Sequence, residues 1–494
     1  MKFQAFINLI MILASLPVMA ADGNSARSTY VFKTTDPQEM TVVNVGALSL
    51  AKRLDMIAKA KRSIEVEFFI YNIDQSGRLF TQALVKKAQE GVHVRVLVDY
   101  GFPIGKLDPY YATLLRDHGV EIRYYNPNLS FELLRGQFRS HRKGLVVDDQ
   151  EAVTGGRNIA DEYFDLAPDY NFLDRDVFVK GSMAKAVRES FDLFWSSNMT
   201  KEPERMTKPT KEAYSLAEPL SGPDDQRTLR QYEKDLARYE QETARATSYM
   251  TENDQDRRIL NFLTTYQAAN AYQIHPRICN DSIFAADLPG IGFANRVLFK
   301  EIMDQVSQAE KSIHIESPYF VTTIDGMLIL SELAKKGIEM NVYTNSLNST
   351  DAVYTTAAFY PRVGILINAG LNVYIYHGAS LQNQTHMTQQ IDQARWGIHA
   401  KSAVIDDKTI MVGTFNTDPR SRNINAEMAI MCRNNPELAQ DVLQNMMDTK
   451  AQSVQLNGFG FPVDGTSKFE GVSLPKRIEY YLLAPFSNLL DFLL

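Results

Sequence analysis

The feature that most constrains this chain is that it repeats itself. Ser63-Ile64-Glu65-Val66-Glu67 is echoed by Ser312-Ile313-His314-Ile315-Glu316, each after an alanine and a basic residue. Residues 84–98 and 333–343 both run from a helix-like stretch through a glycine, Gly91 or Gly337, into an apolar strand, and 114–120 and 366–371 do the same through Gly119 and Gly370. A fourth pair, 140–149 and 398–407, carries His141 with Lys143 and His399 with Lys401 ahead of an apolar run that ends in two aspartates. Four matches in one order, at a nearly constant spacing of about 250 residues, imply two copies of one α/β unit. Glycine-capped helices feeding β-branched strands predict a mixed or largely parallel sheet with helices on its faces.

The 494 residues hold two such units with material to spare. The expected layout is a first α/β domain at 40–200, a charged helical insertion at 201–290, a second domain at 291–450, and an extension at 451–494. Residues 1–20 have the shape of an export signal, with Lys2, an apolar run, and Val18-Met19-Ala20 before the expected cleavage point; an uncleaved anchor is the alternative. Phe486, Leu489, Leu490, Leu493 and Leu494 form one apolar helical stripe, suited to packing on the body or to lying on a membrane. Lys and Arg total 52 against 59 acidic residues, a net charge of −7 that disfavours coating of nucleic acid. Cys279 and Cys432 permit at most one disulfide, with two buried thiols the other reading.

The chemistry concentrates in the fourth repeat. Residues two apart on an extended segment share a face, so each imidazole points with its lysine ammonium toward one anionic substrate. The lysine charge opposes a metal ion and no HExxH spacing occurs, so neither metal nor cofactor is expected. Asp148 and Asp406 stand an odd number of residues from their histidines and are assigned to tight turns. Downstream, Gly155-Gly156-Arg157-Asn158 and Gly413-Thr414-Phe415-Asn416 offer close backbone approach and an amide, Asn158 or Asn416, able to hold a phosphoryl oxygen. Asp176 and Glu427 follow in strand-like runs, each able to bond a histidine ring nitrogen and fix its tautomer; Asp174 is a rival to Asp176.

The duplicated His-x-Lys-x4-Asp pattern, each copy followed by a glycine-asparagine segment, resembles the phospholipase D superfamily. The longer stretches 155–164, 316–321 and 415–421 are most similar to its bacterial cardiolipin synthase C type branch, although Ala403 stands where that branch usually has a larger apolar residue. The resemblance implies two pseudo-twofold-related α/β domains, each a mixed sheet flanked by helices, sharing one interfacial active site without metal. It implies further that one histidine attacks phosphorus to give a phosphohistidine while the other serves as acid and base. His141 is expected as nucleophile and His399 as acid/base. Lys143, Lys401, Asn158 and Asn416 are expected to hold the phosphoryl oxygens, and Asp176 and Glu427 to orient the histidines.

The substrate is expected to be a phospholipid of the phosphatidylglycerol or phosphatidylethanolamine class, acted on by an exported, periplasmic or secreted enzyme associated peripherally with a membrane surface. The reaction is hydrolysis if water accepts and phosphatidyl transfer if a lipid hydroxyl does. An exported nuclease of the same superfamily is the enzymatic alternative, and a silent binding protein would have eroded one of the four motif residues. Arg135, Arg139, Arg142, Arg157, Arg420 and Arg422 read equally as headgroup-steering or as solvated surface charge.

Overall fold

The computed structural model describes residues 30–101, 107–127, 135–217, 226–322, 324–381 and 385–486. The expected export signal and most of the C-terminal stripe lie outside these residues. In chain order the strands are β1 (Tyr30–Thr34), β2 (Gln38–Val43), β3 (Ser63–Phe68), β4 (His93–Asp99), β5 (Val120–Tyr125), β6 (Gly144–Val147), β7 (Glu151–Gly155), β8 (Tyr170–Leu173), β9 (Asp176–Lys180) and β10 (Thr200–Lys201). The second half continues with β11 (Arg277–Cys279), β12 (Ser282–Ala286), β13 (Ser312–Glu316), β14 (Glu339–Asn345), β15 (Leu371–Tyr376), β16 (Arg395–Ile398), β17 (Ser402–Ile405), β18 (Thr409–Gly413), β19 (Met428–Cys432) and β20 (Ser453–Gln455).

These strands build two nine-stranded mixed sheets. One runs β10-β5-β4-β3-β6-β7-β9-β2-β11 and the other β20-β15-β14-β13-β17-β18-β19-β12-β1, the same order position by position. Within each, three strands are parallel (β3, β4, β5 and β13, β14, β15), and the strands after the histidine motif pair antiparallel. The duplicated α/β architecture read from the repeat is therefore the fold. Gly91, Gly119, Gly337 and Gly370 take positive φ just past the helices Gln75–Gln89, Pro109–Asp117, Ile324–Lys335 and Val353–Asn368, a conformation that glycine adopts without steric cost.

Strand alternation places the core. Ile64, Val66 and Phe68 of β3 and Val94, Val96 and Val98 of β4 share one apolar cluster with Met56 and Ile57 of the helix Gly46–Lys59. On the opposite face, buried Glu65 and Glu67 meet Arg95 and Arg142. Asp148 and Asp406 hold the turns assigned to them. Each takes φ near 55° in a two-aspartate hairpin turn, and its carboxylate accepts three backbone N–H groups, from Lys61, Arg62 and Ser63 or from Glu310, Lys311 and Ser312.

The boundaries differ from those expected. The insertion ends earlier than 290, because β11 and β12 within it join sheets, and β20 carries the second sheet past 450. The halves also exchange strands: β1 pairs with β12 of the second sheet, while β11 pairs with β2 of the first. Cys279 of β11 and Cys432 of β19 form a disulfide that ties the two sheets together. Of the insertion, helix Gln226–Met250 is mostly exposed, whereas Asp254–Ala269 buries Ile259, Leu263 and Tyr266 in the first core. Among the described residues no helix is long and apolar enough to cross a membrane.

Candidate active site

Two short parallel pairings between the halves place the histidines. β8 and β16 run side by side, so the residues after them, Asp174 and His399, emerge together, and the His399 N–H donates to Leu173 O at 2.7 Å. At the pseudo-equivalent place Ser140 bridges Ala426, the His141 N–H donates to Ala426 O at 2.9 Å, and Glu427 follows. Each histidine therefore meets the acid of the other repeat. His141 Nδ1 lies 2.9 Å from Glu427 Oε2, and His399 Nδ1 lies 2.6 Å from Asp174 Oδ2. Bonds at Nδ1 leave Nε2 of both rings for substrate.

The orienting acid of the first repeat is Asp174, which corrects the assignment to Asp176. Residues 174 and 176 share a face by alternation, so spacing alone did not separate them. Strand register does: Gly155 stands opposite Asp176, while its counterpart Gly413 stands opposite Ala429, so Asp176 corresponds to Ala429 and Asp174 to Glu427. A Cβ on Gly156 would lie 2.1 Å from Asp174 Oδ1, so glycine is what admits the carboxylate there. At the matching position Thr414 instead donates to Glu427 at 2.5 Å, beside Ser421 at 2.8 Å. Asp176 is buried among Arg53, Arg157 and Ser49.

Both histidines line one cavity of about 190 Å³ together with Asn158 and Asn416. Asn158 Oδ1 accepts from the Ile70 N–H at 3.0 Å, and buried Asn416 Oδ1 has no protein partner among the described residues. Lys143 and Lys401 are buried and do not line this cavity, each donating from Nζ to the carbonyl of its own histidine at 2.7 and 2.6 Å. The sequence reading missed several wall residues: Phe69, with its ring 4.9 Å from that of His141; Tyr163, 5.1 Å from His399; and Tyr319, Asp351, Tyr354 and Asp418; Arg420, weighed there as a headgroup-steering residue, also lines the wall. Tyr163, Tyr319, Asp418 and Arg420 fall inside the stretches that carried the family resemblance, which was the available signal; Phe69 and Tyr354 had none. Arg139, Arg142 and Arg157 are neither steering groups nor surface charge, being buried against Asp99, Glu67 and Asp176.

Burial dominates the electrostatics. It lowers Lys143 to about 7 and Lys401 to about 8, against the ordinary lysine value near 10.5. His399 falls to about 4 through burial and then the Lys401 charge, while His141 is pushed well down by burial, Lys143 and Lys401. The two acids diverge. Burial raises Glu427 to about 7, whereas the His399 and Lys401 charges outweigh burial and hold Asp174 below the usual carboxylate range. Among the described residues no group of three or more His, Cys, Asp or Glu is placed to hold a metal ion.

A duplicated fold whose two histidines line one interfacial cavity, each with a buried lysine two residues on, defines an enzyme of the phospholipase D superfamily. The family described as cardiolipin synthase, PLD-like domain, matches residues 54–195 and 302–449, more than half of the chain, and the chain belongs to it. It is 28% identical to cardiolipin synthase C of Escherichia coli K12 over 410 residues, covering 78% of this chain and 81% of that one. An uncharacterized protein of Helicobacter pylori strain J99 is 29% identical over 451 residues, 87% of this chain and 82% of that one. The crystal structure of phosphatidylserine synthase from Haemophilus influenzae Rd KW20 shares the fold, with a TM-score of 0.61 at 15% identity over 99% of this chain and 98% of that one.

Proposed function

We propose that this protein transfers a phosphatidyl group between glycerol hydroxyls of phospholipids, forming cardiolipin from phosphatidylglycerol through a phosphohistidine on His141. The observation that carries the division of labour is the asymmetry of the two acids. Asp174, held ionised beside His399, stabilises an imidazolium and suits His399 to general acid work. Glu427, raised to about 7, supports less charge on His141, which keeps a neutral Nε2 lone pair for attack. A bound phosphodiester anion raises the histidines toward their working range. His141 Nε2 then bonds to phosphorus, the P–O bond to the leaving alcohol breaks, and His399 Nε2–H gives that alcohol its proton. In the second step the acceptor hydroxyl passes its proton to His399, its oxygen bonds to phosphorus, and the P–N bond breaks. Lys143 and Lys401 supply positive charge close behind the phosphoryl oxygens.

The similarity to cardiolipin synthase C supports the lipid substrate. Asp351 and Asp418 in the cavity wall count against a polyanionic strand and hence against a nuclease. The Cys279–Cys432 disulfide supports an oxidising compartment, as export would provide. A row of exposed apolar side chains near the C-terminus supports peripheral membrane attachment.

The test is incubation with phosphatidylglycerol vesicles in chelator, products resolved by mass, with His141→Ala and His399→Ala. Cardiolipin formation lost in both variants is expected, with a phosphohistidine trapped in His399→Ala alone. Phosphatidic acid as sole product would make the enzyme a hydrolase, and a trapped adduct on His399 would reverse the roles.

A further inference from the structure

A second crevice, of about 80 Å³, lies in the second half against the sheet face that carries β13, β17 and β18, between the helices Leu298–Val306 and Ile324–Lys335. Its wall is apolar, formed chiefly by Ile302, Val306, Phe320, Leu330, Ala403 and Phe415. It adjoins the catalytic cavity: Asp418 lines both, and Phe415 and Thr417 flank the cavity residue Asn416.

The internal repeat shows how the lining of this crevice differs from the equivalent positions of the first half. Strand register makes Ala403 the counterpart of Leu145 and Ala429 the counterpart of Asp176. The repeat offsets make Ile302 and Phe415 the counterparts of Arg53 and Arg157. In the first half the equivalent positions hold the ion cluster of Arg53, Asp176 and Arg157 and fully buried Leu145, and the helix Asp254–Ala269 packs on the helix Gly46–Lys59. In the second half the same positions are apolar or small. A closed core would favour the larger side chain at 403, since unfilled apolar volume costs stability.

We infer that this crevice is an acyl-chain site, which seats part of one fatty chain of the lipid whose phosphodiester occupies the histidine cavity. The inference rests on the lipid reading given above. The occupant follows from the lining and from position: an apolar crevice that shares Asp418 with the phosphoryl-transfer cavity fits the hydrocarbon of a ligand whose anionic centre sits beside the histidines. The crevice, of about 80 Å³, has room for a short run of methylenes, with the rest of the chain continuing outward.

Two measurements test it. Ala403→Leu, which restores the first-half residue, and Ile302→Phe are compared with wild type on dioleoyl- and dibutanoyl-phosphatidylglycerol. The long-chain to short-chain ratio of kcat/KM is expected to fall at least about tenfold in both variants. Separately, a phosphatidylglycerol carrying a diazirine on its acyl chain is irradiated with the His141→Ala protein, which does not need turnover. Labelling is expected in 298–306, 402–411 or 415–417. A ratio unchanged in both folded variants, or labelling confined to other segments, overturns the site. Labelling here from a protein that turns over no lipid would sink the proposed function and leave the crevice as an apolar ligand site.

Discussion

At the scale of single residues, the two aspartates of the first repeat separate a chemical role from a structural one. Asp174→Asn keeps the shape but removes the charge that supports an imidazolium on His399, and activity is expected to fall by about 10²- to 10⁴-fold with folding intact. Asp176→Asn instead leaves Arg53 and Arg157 buried without their shared carboxylate, so a loss of about 3–5 kcal/mol in unfolding free energy is expected. Denaturation curves beside the pH profile of the remaining activity distinguish the two, and equal effects of both changes would refute the division. The lysines set an alkaline limit. A lysine loses its charge as pH rises through its pKa, so with Lys143 at about 7 and Lys401 at about 8, kcat/KM is expected to decline above that range. Lys143→Arg keeps its charge and should move the limb upward; an unmoved limb would assign it to another group. The motif residues were legible because they recur in one frame. Asp174 was not, since period-two alternation puts 174 and 176 on the same face and only ladder register tells them apart.

At the scale of elements, the molecule is built from exchanged pieces. β1 and β11 trade sheets, and the pairs β8–β16 and Ser140–Ala426 bring each histidine to the other repeat's acid. The consequence is that neither half holds a complete site. Helices, glycine caps and two-aspartate turns were readable because their chemistry is local. The exchange was not, because β11 has three residues and carries no pattern that names a partner. The buried arginines escaped for a related reason: Arg139, Arg142 and Arg157 look like surface charge until Asp99, Glu67 and Asp176 are placed opposite them. The disulfide fastens this arrangement across 153 residues of sequence. Its removal by Cys279→Ser with Cys432→Ser is expected to lower the unfolding free energy by about 2–5 kcal/mol, read from urea unfolding. A midpoint and slope equal to wild type would show that the bond carries none of the stability.

At the scale of the whole molecule, the phospholipid substrate proposed above lies in a bilayer, and we propose the C-terminal extension as the surface that reaches it. The helix Leu474–Leu483 turns Tyr480 inward against Tyr360 and Phe469, yet leaves Leu474 69%, Tyr481 61% and Leu482 66% exposed. Phe459, 87% exposed, belongs to a loop packed on the same helix Val353–Asn368 that supports this extension. Lys476 donates from Nζ to the carbonyls of Leu347, Asn348 and Thr350, next to Asp351 in the cavity wall, so this apolar surface is fixed to the rim of the active site. Burying such side chains in the acyl boundary is worth about 1.5–3 kcal/mol each at full burial, enough for reversible attachment. Ile478→Glu with Leu482→Glu is therefore expected to weaken cosedimentation with phosphatidylglycerol vesicles at least about tenfold and to slow turnover of vesicle lipid in parallel. Turnover of monomeric dibutanoyl-phosphatidylglycerol should persist, because that substrate reaches the cavity through water. Unchanged vesicle binding would show that the protein meets the bilayer through another face, and loss of activity on both substrates would mean that the helix supports the site rather than the membrane contact.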